Sequence, residues 1–208
     1  MSIETHPDAK DTKENRMGKL VISENVTLDG VMQDPTGDES FGRGGWANRI
    51  SEQDRQAWGQ FLLEEALSAE AQLLGRRTYE SFAGRFPSRS GAWADRLNGM
   101  PKYVVSSSLT EPEWNNTTVL RGDVVDEVSK LKRELGGEIV VYASGRLVPT
   151  LMEHDLVDEL RLIVYPVVLG SGQRLFADTV AEQPARLTGV ETIGNGLVSL
   201  VYGLVHDA

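Results

Sequence analysis

The sequence predicts an α/β fold: a three-layer sandwich whose mixed, mostly parallel sheet lies between helices and ends in a C-terminal antiparallel hairpin. Three observations lead there. Short runs of Val, Ile and Leu alternate with stretches whose apolar residues recur every three or four positions. One run, Ile139-Val140-Val141-Tyr142, is apolar throughout, the pattern of a strand covered on both faces. Near the end, two strand-like runs flank Gly194-Asn195-Gly196, a hairpin signal.

Taken in order, Lys19 to Ser23 reads as the first strand, followed by a loop rich in Gly, Asp and Pro from Leu28 to Gly45. A helix is expected from about Ser51 to Leu73, with Trp58, Phe61, Leu62, Ala66, Ala69 and Leu73 on one face. Ser51 followed by Asp54 is compatible with a capping box. Leu73-Leu74 is a very short buried strand, and a second helix starts near Tyr79. Lys102 to Ser106 is a strand introduced by Pro101, and Thr117 to Leu120 another. Asp123 is a plausible N-cap for a helix that carries Val124, Val128, Leu131 and Leu135 and stops at Gly136-Gly137. After the strand Glu138 to Ala143 comes a helix with Pro149 in its first turn, where a missing N–H costs little. Asp158 to Leu169 is a long strand, and Arg186 to Ile193 with Leu197 to Val205 form the hairpin.

Composition narrows the function. The chain has 208 residues, a length that suits one core, with 40% hydrophobic and 25% charged residues. A net charge of −10 argues against nucleic acid or an anionic membrane as partner, although a few converging Arg residues still allow an anionic cofactor. Cysteine is absent, which removes disulfides, thiol catalysis and Cys-ligated zinc, and His6, His154 and His206 are too scattered for a metal site. Residues 1–17 read as a disordered polar tail without a signal-peptide core, and no apolar run is long enough to span a bilayer. The expectation is a cytoplasmic protein.

Three strand-to-helix junctions could carry chemistry: Leu74-Gly75-Arg76-Arg77-Thr78, Val105-Ser106-Ser107-Ser108 and Tyr142-Ala143-Ser144-Gly145-Arg146. Small residues there let backbone N–H groups approach a phosphate, the helix N-terminus adds positive potential, and an Arg can grip the phosphate bidentately. Each also has a bland reading: a tight turn at Gly75 and Gly145, solvated surface charge at Arg76 and Arg77, a turn at the serines. Neither a P-loop nor a GxGxxG is present.

The order and spacing of these junctions resemble the dihydrofolate-reductase-like superfamily. Leu28-Asp29-Gly30, with Asp158-Glu159-Leu160 running into Pro166 to Gly172, is similar to its riboflavin-biosynthesis branch, the reductase domain of the bifunctional deaminase-reductase. The likeness spans about Gly18 to Val205 and implies one reductase domain over residues 18–208, a dihydrofolate-reductase-like fold, NADPH as cofactor and a homodimer. It implies that Gly75, Arg76, Arg77 and Thr78 bind the cofactor phosphates, an Arg near the adenosine 2′-phosphate and Thr78 on the pyrophosphate. Val105, Ser106 and Ser107 would lie on the adenosine side. Ala143, Ser144, Gly145, Arg146 and Leu147 match the glycine-rich pyrophosphate loop, and Asn25, Val26 and Met32 the nicotinamide wall. The extra charge of the 2′-phosphate is the reason to expect NADPH rather than NADH.

Two departures bear on substrate. Where dihydrofolate reductases carry an acid in the first long helix, this chain has Trp58-Gly59-Gln60, with Asp54, Glu64 and Glu65 off register. Their pterin-supporting Thr is replaced by Ile163. The expected function is therefore NADPH-dependent hydride transfer to a small heterocycle, pterin-like or riboflavin-precursor-like. The rivals are a non-catalytic NADP(H)-binding or regulatory protein and a structural protein that reuses the fold. No catalytic residue is identified beyond Asp29, whose alternative is a plain Asp-Gly turn. Residues 34–45 are a candidate lid, Trp46 and Trp58 candidate aromatic walls, and Arg174 and Phe176 packing or dimer contacts.

Overall fold

The computed structural model describes residues 17–176 and 182–206. Eight strands form one sheet in the order β4-β3-β2-β5-β1-β6-β8-β7. They are β1 (Lys19–Thr27), β2 (Ala69–Gly75), β3 (Lys102–Val105), β4 (Thr117–Leu120), β5 (Glu138–Tyr142), β6 (Glu159–Tyr165), β7 (Ala185–Ile193) and β8 (Leu197–Leu204). The pairings from β4 to β6 are all parallel. The two that add β8 and β7 are antiparallel, so the expected mixed sheet with its C-terminal hairpin is what forms. The expected tail lies outside the described residues apart from Met17.

Among the described residues five α-helices cover the faces: α1 (Glu52–Ser68), α2 (Arg76–Ala83), α3 (Ala92–Gly99), α4 (Val124–Glu134) and α5 (Val148–Glu153). Strand alternation divides the core between two sides. Leu73, Ile139 and Val141 pack with Val128, Leu131 and Leu151 of α4 and α5. Their neighbours Leu74, Val140 and Tyr142 face the other way, against Ala66, Ala94 and Leu97 of α1 and α3. β1 sits at the centre between β5 and β6, and Leu20, Val21 and Ile22 are fully buried.

Several boundaries differ from the sequence reading. The long helix stops at Ser68, not Leu73, and the last residues of that stretch are the start of β2. Ala69 and Leu73 continue the helical spacing by coincidence, while pairing with β3 and β5 holds them extended and buried. β6 ends at Tyr165, before Pro166, which has no N–H to continue the ladder. β1 runs on to Thr27, because its far half pairs with β6. Helix α3, eight residues behind a Ser/Gly-rich loop, and the 3-10 turn Trp46–Arg49 carried too few periodic positions to be read.

The caps behave as their chemistry dictates. Asp123 accepts the N–H groups of Val125 and Asp126. Ser51 accepts the Asp54 N–H at 3.1 Å. The Asp54 carboxylate in turn accepts Asn195 N–H at 2.6 Å and Gly196 N–H at 3.2 Å, tying α1 to the β7–β8 turn. A Cβ at Gly194 would meet that carboxylate at 2.3 Å, on a residue already at φ 63°, so the turn needs glycine there.

Candidate active site

Parallel strands bring their carboxyl ends to one edge, where segments remote in sequence meet. The ends of β1, β2, β3 and β5 open into a cleft of about 1160 Å³. Of the residues expected to bind cofactor, Asn25, Met32, Gly75, Arg76, Arg77, Thr78, Val105, Ala143, Ser144, Gly145, Arg146 and Leu147 line it. Val26 lies instead in the hydrophobic core and does not line the cleft. Ser106 is buried at the turn that ends β3, where its hydroxyl accepts the N–H groups of Ser108 and Leu109, and Ser107 is exposed.

The two glycine-bearing loops are stitched to each other. Ala143 and Ser144 both have positive φ, 49° and 61°, which costs side-chain-bearing residues conformational energy. The Ser144 hydroxyl offsets that cost: it accepts the Gly75 N–H at 3.0 Å and donates to the Tyr142 carbonyl at 2.9 Å. The Ser144 N–H donates to Thr78 Oγ1 at 3.0 Å. A Cβ on Gly145 would meet Met32 Sδ at 2.7 Å, so the loop packs closely against the segment after β1 and a side chain there would have to push Met32 aside. Gly75 caps α2 without a side-chain bond, which leaves the first-turn N–H groups and the positive end of the helix dipole for an anion.

Charged side chains of both signs line the cleft. Arg76 pairs with Glu80 at 2.7 Å and also reaches Ser108 Oγ. Arg85 pairs with Asp38 at 2.7 Å. Arg77 and Arg146 have no ion-pair partner among the described residues and are exposed on the cleft wall. The cleft also has an aromatic wall. Trp58 donates its Nε1–H to Asn25 Oδ1 at 3.0 Å and meets Trp93 edge-on at 6.3 Å, while Phe86 meets Trp93 at 5.2 Å. A flat ring would find apolar faces here. Trp46 is buried away from the cleft, bonded to the Gln33 carbonyl and packed edge-on against Tyr165. Residues 34–45 are organised around Asp34, whose carboxylate accepts the N–H groups of Glu39 and Phe41.

The carboxyl groups divide by environment. Asp29 lies outside the cleft lining and accepts from Thr27 Oγ1 at 2.7 Å, Leu169 N–H at 3.0 Å and Gly170 N–H at 2.8 Å. Those bonds, the Thr27 hydroxyl first, lower its pKa to about 2 and pin the segment after β6 to the end of β1. The backbone of that anchor takes part too, as Arg174 Nε donates to the Asp29 carbonyl. Helix α1 sends no carboxylate to the cleft; Glu65 is buried beneath the sheet, 3.5 Å from Arg161.

Glu24 was missed by the sequence reading. It lines the cleft at 4% exposure, and burial raises its pKa to about 8, opposed only by the Asn25 N–H. The signal was available: Leu20, Ile22, Glu24 and Val26 fall on one face of a central strand, where a carboxyl is out of place.

Comparison with known proteins agrees with this architecture. The sequence model of the RibD C-terminal domain matches residues 18–199. The uncharacterized protein YyaP of Bacillus subtilis (strain 168) is 26% identical over 196 residues, which cover 92% of this chain and 97% of YyaP. Among solved structures, a Shewanella sp. PV-4 protein described as a riboflavin biosynthesis protein superposes with a TM-score of 0.66 at 18% identity, over 90% of this chain and 99% of that one. Dihydrofolate reductase from Enterococcus faecalis, in complex with NADP(H) and RAB-propyl, superposes with a TM-score of 0.53 at 16% identity, over 90% and 97% of the two chains.

Proposed function

The chain belongs to the RibD C-terminal domain family, and from that premise we propose that it is an NADPH-dependent reductase transferring hydride to a small heterocycle, pterin-like or riboflavin-precursor-like. One observation carries the reading. Gly75 to Thr78 and Ala143 to Leu147 converge on a single cleft, stitched by Ser144, with the guanidinium groups of Arg77 and Arg146, which have no ion-pair partner among the described residues, on its wall.

The residues present fit a phosphorylated dinucleotide. Glycine backbone at Gly75 and Gly145 admits close approach, the α2 N-terminus lacks a side-chain cap, and Thr78 Oγ1, although it accepts from Ser144, keeps its own proton to donate. Gly75, Thr78, Ser144 and Gly145 would hold the pyrophosphate, Arg77 with Arg76 the 2′-phosphate, Val105 the adenosine side, and Asn25 and Met32 the nicotinamide. The Enterococcus neighbour, which holds NADP(H) on the same fold, supports the assignment.

When bound, NADPH supplies the hydride. The protein supplies position and exclusion of water. Trp58, Phe86 and Trp93 form the apolar walls that would take the heterocycle, and the Trp58–Asn25 bond fixes the Trp58 ring. We further propose a cytoplasmic homodimer, with Leu187 and Val190, both exposed on the edge strand β7, as part of its contact surface. Among the described residues no helix is long and apolar enough to cross a membrane.

The test is NADPH oxidation followed spectrophotometrically with dihydropterins and ribosylaminopyrimidinones as acceptors. Turnover with a member of either set supports the proposal. Binding of NADPH without oxidation by any acceptor would favour a non-catalytic NADP(H)-binding protein on this fold.

A further inference from the structure

We infer that Glu24 is the proton donor of this cleft: its Oε2, buried and without a hydrogen-bond partner, is the atom that delivers a proton to the substrate as hydride arrives. The inference rests on the reductase reading above.

Geometry assigns the two oxygens different tasks. Oε1 accepts the Asn25 N–H at 3.0 Å, which orients the carboxyl group on β1. Oε2 is sealed from solvent and has no donor to accept from. A carboxylate in that position would leave a desolvated charge uncompensated, so the stable form is the acid, with Oε2 carrying a hydroxyl that itself needs an acceptor. Glu24 stands on the cleft wall, so a turn of its carboxyl group toward a bound ligand would bring that hydroxyl to an acceptor there.

The other carboxyl groups on the cleft are engaged or, like Glu39, open to solvent. Asp34 accepts two backbone N–H groups, Asp38 is paired with Arg85, and Glu80 with Arg76. Glu65 is also buried and raised in pKa, but it borders a separate recess with Arg161. The other charged groups that line the cleft are Asp34, Asp38 and Glu39 of the loop after β1, Arg55 of α1, Arg76, Arg77 and Glu80 of α2, Arg85 and Arg89 beyond it, and Arg146 before α5. None of them contributes to the Glu24 shift, which comes from burial.

The step balances with a C=N acceptor. The carbon gains the hydride from the bound dinucleotide, the π pair moves to nitrogen, and nitrogen takes the proton from Oε2. Amine, oxidised dinucleotide and Glu24 carboxylate result, and solvent water returns the proton to the carboxylate once product leaves.

Two readouts test this on the NADPH-loaded protein, one of them independent of turnover. Difference infrared spectroscopy should show a protonated-carboxyl band at neutral pH that titrates away near pH 8 and is missing in Glu24→Gln. With whichever acceptor turns over, Glu24→Gln should slow hydride transfer roughly 10²- to 10⁴-fold, leave NADPH affinity within about twofold, and abolish the decline in rate above pH 8. Glu24→Asp, which keeps an acid, should recover part of the rate. Absence of the band in the wild type, or an unchanged rate and pH profile in Glu24→Gln, overturns the inference while the reductase reading stands. Failure of NADPH to bind the wild type instead sinks that reading, and the proton-donor role with it.

Discussion

Replacing Glu24 with Gln should make the protein more stable, and increasingly so as pH rises. The unfolded chain titrates Glu24 near 4.5, whereas burial in the folded protein raises it to about 8. Below pH 4.5 both states hold the proton and no penalty exists. Between the two values the unfolded chain loses its proton while the folded chain keeps it, so the folded state loses stability continuously, and the loss levels off above pH 8. Each pH unit inside that window is worth about 1.4 kcal/mol. From pH 5 to pH 8 the wild type should therefore lose about 3.5 kcal/mol relative to Glu24→Gln, whose amide does not titrate. Urea unfolding of both proteins, followed by Trp fluorescence at pH 5, 6, 7 and 8, measures the difference directly, and titrations elsewhere in the chain cancel. Parallel stability curves would refute the reasoning, because a Glu24 that ionises normally cannot be the buried acid described here.

Arg77→Ala and Arg76→Ala together should weaken NADPH by roughly 1.5–3 kcal/mol, about 10- to 150-fold in Kd, with NADH little affected; calorimetric titration checks this. Arg77→Ala alone should cause most of the loss, because the Arg76 guanidinium is already shared with Glu80. Ser144→Ala removes the acceptor of the Gly75 N–H and should cost about 1–3 kcal/mol of stability in urea unfolding, with a parallel loss of NADPH affinity.

Much of this architecture was legible because it depends on local chemistry. Asp123 and Ser51 cap helices as their side chains predict, Gly194-Asn195-Gly196 makes the hairpin turn, and the fully apolar Ile139 to Tyr142 runs through the sheet. The boundaries missed were decided by tertiary pairing: β2 takes residues that continue the helical period, and Pro166 ends β6 four residues before the apolar run does. The site divided in the same way. Its glycine-bearing loops could be read as junction motifs, but no local pattern shows that the Ser144 hydroxyl crosses to Gly75, or that Asp29 is consumed by Leu169 and Gly170. Glu24 was the one misread case that sequence could have settled. A carboxyl at a core-facing position of a central strand demands a reason.

We propose that the cleft formed by Gly75 to Thr78 and Ala143 to Leu147 is built for a phosphorylated nicotinamide dinucleotide. Titration of the purified protein with NADPH and with NADH, read by quenching of its Trp fluorescence, tests it most directly, since Trp58 and Trp93 line the same cleft. Saturable, micromolar-range binding with a clear preference for NADPH is the predicted result. Binding of neither dinucleotide, or equal affinity for both, would contradict it.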